Sequence, residues 1–167
     1  MSKIIDSIES KKQLLETGSY EPVSHVIIRK VFPRIIREAH AYYSEKAKKE
    51  GKRRASYLQI RDIVPFYLYV QTYLNNQKDR DVYGTSFRTY KDITEDLCID
   101  AHRIKWLGDI LEANGLLTKE NVRRGTGRQV KYSPRYFINV SKDGYVVDEN
   151  GQRIVPKLTI YDPPKKG

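Results

Sequence analysis

Apolar residues recur at helical spacing through most of the chain and alternate at strand spacing only in short stretches near its middle and end. In the opening segment Ile4, Ile5, Ile8 and Leu15 share a helical period between Ser2, which suits an N-cap, and Gly18, which suits a stop. A short amphipathic arm is expected there, and such an arm needs a surface to cover, its own body or a partner subunit. From 23 to 49 Ile27, Val31, Ile35 and Ala39 repeat every four residues, but Pro33 must start a helix or kink one, so a break is expected at that point. A third helix is expected over 62–77, with Asp62 as its cap and Pro65 in the first turn. Val64, Tyr67, Leu68, Gln71 and Leu74 form its wide apolar stripe. A polar linker over 75–81 and a short strand over 82–87 follow.

The next stretch is the most informative. Thr89-Tyr90-Lys91-Asp92 has the form of a capping box, and Ile93 and Leu97 give the helix behind it one buried face. Cys98 and Ile99 end that helix, and Asp100 caps another over 101–114, whose inner side carries Ile104, Leu107, Gly108 and Leu111 and which stops at Gly115. At 100° per residue, His102, Arg103, Lys105, Trp106 and Asp109 point the other way. Leu116 and Leu117 then begin a strand, 123–128 makes a glycine-bearing turn, and Gln129-Val130-Lys131-Tyr132 returns as a second strand. Gly125 and Gly127 serve that turn and not a nucleotide loop, because no strand-to-helix junction follows them. After Ile138 a further hairpin is expected around Asn150-Gly151, with another strand over 158–161.

Charge sharpens this pattern. The 31 Lys and Arg against 21 Asp and Glu leave a net charge of +10, which favours a polyanionic partner, nucleic acid first and an anionic membrane surface second. The surplus is concentrated: Lys119, Arg123, Arg124, Arg128, Lys131 and Arg135 face only Glu120 along the ribbon. The run from Lys46 to Arg54 reads as a solvated helix end and loop, with contact along phosphates as the alternative. Most of the tyrosines read as core or rim packing, since a phenol can pack its ring while its hydroxyl stays wet or reaches a phosphate, and only a few are expected to touch a ligand. The single cysteine, Cys98, forms no intrachain disulfide, no zinc spacing or phosphate loop is present, and no stretch has the length and apolarity of a membrane span. A cytoplasmic protein without cofactor, metal or enzymatic activity is therefore expected.

Asp92-Ile93-Thr94-Glu95-Asp96-Leu97, then Leu111-Glu112-Ala113-Asn114-Gly115-Leu116-Leu117 and a basic hairpin, resembles the winged helix-turn-helix superfamily of bacterial and phage regulators and replication proteins. The likeness covers roughly the central half of the chain. The expected fold is α+β and mainly helical: a winged helix-turn-helix over 58–138, a helical extension over 1–57, and a C-terminal β-hairpin extension with a tail over 139–167. The resemblance implies double-stranded DNA as partner, with Arg103, Lys105 and Trp106 facing the major groove and Arg124 and Arg128 on the backbone or the adjacent minor groove. Lys131 belongs to the same basic set. Arg123 joins it only in one of two strand registers, since a shift of one residue turns it to the other face. Trp106 has two readings, contact with a thymine methyl or phosphate, and packing against a helix or a neighbouring subunit. His102 either donates to a phosphate or meets solvent alone.

The leading expectation is a homodimeric, sequence-specific transcriptional regulator. A plasmid or phage origin- or centromere-binding factor with a replication or segregation partner is the first alternative, and a winged-helix protein-interaction module is the second.

Overall fold

The computed structural model of the chain describes residues 7–52, 58–74, 83–125, 127–135 and 137–165. The arm forms as α1 (Ser7–Thr17), which buries no residue and stops at Gly18, where φ is +66°. Its expected beginning at Ser2 lies outside the described residues. Pro33 does not break the next helix. A wide π-type turn (Ile27–Val31) leads directly into α2 (Phe32–Lys49), and the Phe32 amide donates to the Ile27 carbonyl five residues back. The wider turn makes room for the proline ring, which has no N–H to offer the ladder.

After a 3₁₀ turn (Leu58–Asp62), α3 (Ile63–Thr72) is shorter than the periodicity suggests. Asp62 stands at its N-cap but in helical conformation and makes no cap; its carboxylate is spent elsewhere. The linker expected over 75–81 lies outside the described residues. β1 occupies Ser86–Arg88.

The capping box at α4 (Tyr90–Leu97) forms as the sequence implies. The Asp92 amide donates to the Thr89 hydroxyl over 3.0 Å, and the Thr89 amide returns a bond of 3.3 Å to the Asp92 carboxylate. Cys98, left-handed at φ +54°, turns the chain, and Asp100 caps α5 (Ala101–Ala113) by accepting from the His102 amide at 2.8 Å. Gly115 ends that helix at φ +77°, where a Cβ would stand 2.7 Å from Ile154. β2 (Leu117–Arg124) and β3 (Gly127–Pro134) form the expected ribbon, and β1 adds to β3, giving an antiparallel sheet in the order β1-β3-β2.

The C-terminal segment departs from expectation in part. β4 (Asn139–Val140) pairs with β5 (Val146–Val147), and the expected hairpin around Asn150-Gly151 closes, the Asp148 amide donating to the Gln152 carbonyl and the Ile154 amide to the Val146 carbonyl, each over 2.8 Å, about a bridge between Val147 and Arg153. Residues Leu158–Tyr161 form a 3₁₀ turn and not a strand, packed against α2 and α5.

One apolar cluster holds these elements together. It includes Val31 and Ile35 of α2, Phe66 and Val70 of α3, Leu107 and Leu111 of α5, Tyr132 of β3, and Val146 and Tyr161 from the C-terminal segment. Each such side chain contributes roughly 1.5–3 kcal/mol of transfer free energy. A polar knot accompanies the cluster. The buried Arg34 guanidinium donates to Glu38 (2.9 Å), to the Asn114 side-chain oxygen (2.7 Å) and to the Gly144 carbonyl (3.2 Å), and it stacks on the Tyr145 ring. Glu38 also accepts from the hydroxyls of Tyr145 (2.7 Å) and Tyr161 (2.5 Å). The fold is therefore α+β, five α-helices with small antiparallel sheets among the described residues. None of these helices is long and apolar enough to cross a membrane.

Candidate functional site

The cap at Asp100 and the αL turn at Cys98 fix where α5 begins and how it leaves α4. The side of α5 left to solvent carries His102, Lys105, Asp109 and Glu112, spaced three and four residues apart. Only the first two of these are basic, so positive charge is confined to the N-terminal turns of the stripe.

Two of the expected outward residues are turned away. Trp106 is only 6% exposed, and its indole N–H donates to the Ile160 carbonyl over 3.0 Å. The 3₁₀ turn at 158–161 covers it, so a position that helical phase alone sets on the open side becomes part of the core. Arg103 is partly buried. Its guanidinium pairs with the Asp62 carboxylate and reaches the Gln59 carbonyl at 3.4 Å, which ties the first turn of α5 to the turn before α3. Asp62 is thus a partner for Arg103 and not the cap it resembles in sequence.

The strand register settles the position of Arg123. It lies opposite Arg128, while Arg124 lies opposite Gly127. Side chains alternate across a strand, so Arg123 and Arg128 share the ribbon face that carries Lys119, Asn121, Val130 and Tyr132. Arg124 and Lys131 take the other face, where the Arg124 guanidinium lies 4.2 Å from the centre of the Phe87 ring. Lys131 sits between Glu120 and Phe87 in the register. The basic ribbon therefore divides its charges between two faces.

Lys119 links ribbon to helix. Its ammonium pairs with the Asp109 carboxylate and reaches the Lys105 carbonyl oxygen at 3.4 Å. Asp109 also accepts from Lys105 at 3.3 Å, and Gly108 leaves room for the Lys119 stem, whose Cδ would stand 3.4 Å from an added Cβ. Lys119, on the ribbon face that further along carries Arg123 and Arg128, therefore borders the helix stripe at Lys105 and Asp109. Asp109 and Lys119 were not among the expected site residues, although Asp109 one turn beyond Lys105 is a visible ion-pair spacing. On the far side of the sheet edge, Arg88 lies over the Tyr73 ring at 4.0 Å and pairs with Asp96 at 3.3 Å, bracing β1 against α3 and α4.

Among the described residues, no group of three or more His, Cys, Asp and Glu side chains is arranged to hold a metal ion, and Cys98 is a free, exposed thiol. Set against known proteins, the chain matches no family model, no curated protein and no solved structure.

Proposed function

We propose that the chain binds double-stranded DNA as a winged helix-turn-helix protein, with α5 as the recognition helix and β2-β3 as the wing. Its role in this reading is that of a sequence-specific, homodimeric transcriptional regulator without catalytic activity. The observation that carries the reading is the Lys119 bridge to Asp109 and Lys105, which docks onto the exposed stripe of α5 the ribbon face that further along carries Arg123 and Arg128. A helix stripe with basic N-terminal turns and an adjoining pair of arginines suits base edges in the major groove and phosphates beside them. In this reading His102 and Lys105 approach bases, Arg123 and Arg128 contact backbone or minor groove, and Arg103 acts as a strut that aims the helix. Arg124 and Lys131, on the opposite ribbon face, contribute long-range attraction.

The test is an anisotropy titration with a random duplex across a salt series. Arg123→Ala with Arg128→Ala is expected to weaken binding and to flatten the slope of log K against log salt by about 2, roughly one phosphate contact per arginine. Affinity and slope both unchanged would remove the ribbon from the interface. Genomic fragments selected by the protein are expected to carry two half-sites separated by whole turns of DNA. Repeats clustered at one origin would replace the regulatory role with one in replication or segregation.

A further inference from the structure

β2 lies at an edge of its sheet. The strands run in the order β1-β3-β2, and among the described residues no further strand pairs with the outer side of β2. Arg124 and Gly127 face each other where the ribbon closes, so near in sequence that they form a hydrogen-bonded pair. Alternation from that pair assigns the amides and carbonyls of Arg124, Val122 and Glu120 to β3 and turns those of Arg123, Asn121 and Lys119 outward. The Lys119 amide agrees with this assignment, since it donates to the Glu112 carboxylate of α5 over 3.0 Å and not to β3. The same bond closes the edge at Lys119. The stretch left open is 120–124, Glu-Asn-Val-Arg-Arg, in which all but the half-buried Val122 are exposed.

An open edge is a template for another strand, and proteins commonly blunt it by placing like charges where a second copy would pair. Here the charges do the opposite. Val122 is the middle of the open stretch, and an antiparallel copy with its two-fold axis at that point sets Val122 against Val122, Asn121 against Arg123 and Glu120 against Arg124. Glu120, Val122 and Arg124 share one face of the strand, so a valine pair lies between two pairs of opposite charge. Glu120 then stands between Lys131 of its own β3 and the partner's Arg124. Arg124 exchanges its solvent-facing contact with the Phe87 ring for a carboxylate. Neighbouring registers fail. Centred on Asn121, the pairing sets Lys119 against Arg123 and calls on the amide already given to Glu112; centred on Arg123, it sets that arginine against itself.

We infer that two copies of this chain associate edge to edge through β2, antiparallel about Val122, in one continuous sheet. The outward amide and carbonyl of Asn121 bond the carbonyl and amide of the partner's Arg123, and the reverse holds for the second copy, so the contact is self-complementary and closes. The homodimer of the DNA reading would gain its interface here, but the pairing follows from strand geometry and charge and needs no contact with DNA.

Sedimentation velocity without DNA tests it, at concentrations up to about 200 µM because an edge contact of this size is weak. The wild type is expected to dimerise reversibly. As it does, the Asn121 and Arg123 amides are expected to exchange more slowly, while the Val122 amide, already bonded to β3, is unchanged. Asn121→Pro removes an outward amide and no bond of the ribbon, so it is expected to keep its thermal transition and to weaken association by about tenfold or more. Glu120→Arg and Arg124→Glu each set like charges together and are each expected to weaken association about tenfold, with the double variant recovering most of the loss. A wild type that stays monomeric throughout overturns the inference. So do a dimer with no slowing of exchange at Asn121 and Arg123, and a double variant no better than either single one. Should Asn121→Pro unfold, the charge exchange decides. Random duplex titrated against folded, monomeric Asn121→Pro, which keeps every basic residue, reports on the DNA reading alone.

Discussion

Gly144 shows how much a single residue carries here. With φ at +90°, it brings its backbone so close to α2 that an added Cβ would stand 2.7 Å from the Lys30 carbonyl and 2.9 Å from the Arg34 Cβ. Its own carbonyl accepts from the Arg34 guanidinium. Gly144→Ala therefore meets both a strained backbone and a steric block, and is expected to lower unfolding free energy by about 2 kcal/mol. Urea denaturation checks this, and a midpoint equal to that of the wild type would show that the C-terminal segment yields without cost. Arg34 and Glu38 are the other half of this contact. Their spacing as an i, i+4 pair is visible in the sequence, but nothing there tells that pair from a solvated one. Its burial follows from Asn114, Tyr145 and Tyr161, whose bonds to the pair span 80 to 123 residues of chain.

At the level of the elements, what could be read from the sequence was whatever neighbours in sequence decide. The capping box at Thr89, the cap at Asp100, the stop at Gly115 and the ribbon are local, and they form as their residues imply. Asp62, the choice between the two readings of Trp106, and the segment at 158–161 lie beyond local sequence for one shared reason. Each is determined by a partner distant in sequence: Arg103 draws off the Asp62 carboxylate, and the tail lays a carbonyl on the Trp106 indole. Helical phase gives a side chain its direction without saying what arrives from elsewhere to cover it.

The cap of α4 also carries a pH dependence. The Thr89 hydroxyl, and then its amide, hold the Asp92 carboxyl below the usual carboxylate range. A carboxylate whose folded pKa is depressed adds stability above its unfolded pKa, near 3.9, and loses that contribution as pH falls through the lower folded value. Asp92→Asn is expected to be less stable than wild type at neutral pH, with the gap closing toward pH 2. Denaturant midpoints across that range test it, and a gap constant with pH would mean that the carboxylate's charge plays no part.

Across the whole molecule, tyrosine is the recurring instrument of assembly. Of 13 in the chain, Tyr43, Tyr67, Tyr132 and Tyr161 are buried among the described residues, and burial pushes the last three phenols up, with the bond to Glu38 adding to the effect at Tyr161. Tyr145 is raised first by its bond to Glu38. Groups with raised folded pKa values contribute fully below the unfolded value, about 10 for tyrosine, and the contribution disappears as pH climbs past it toward the folded values. Alkaline titration followed at 295 nm is accordingly expected to show one set of tyrosines ionising freely and another ionising only as the far-ultraviolet circular dichroism is lost. A single smooth titration with the dichroism unchanged would contradict the packing described for these rings.

The knot around Arg34 has a practical corollary for dissection of the chain. Its participants come from both ends and from the close of α5, so scissors set at either margin of the central unit would sever bonds, strand a guanidinium and bare an indole. The short fragment that an economical experimenter would cut out first is the one least prepared to live alone.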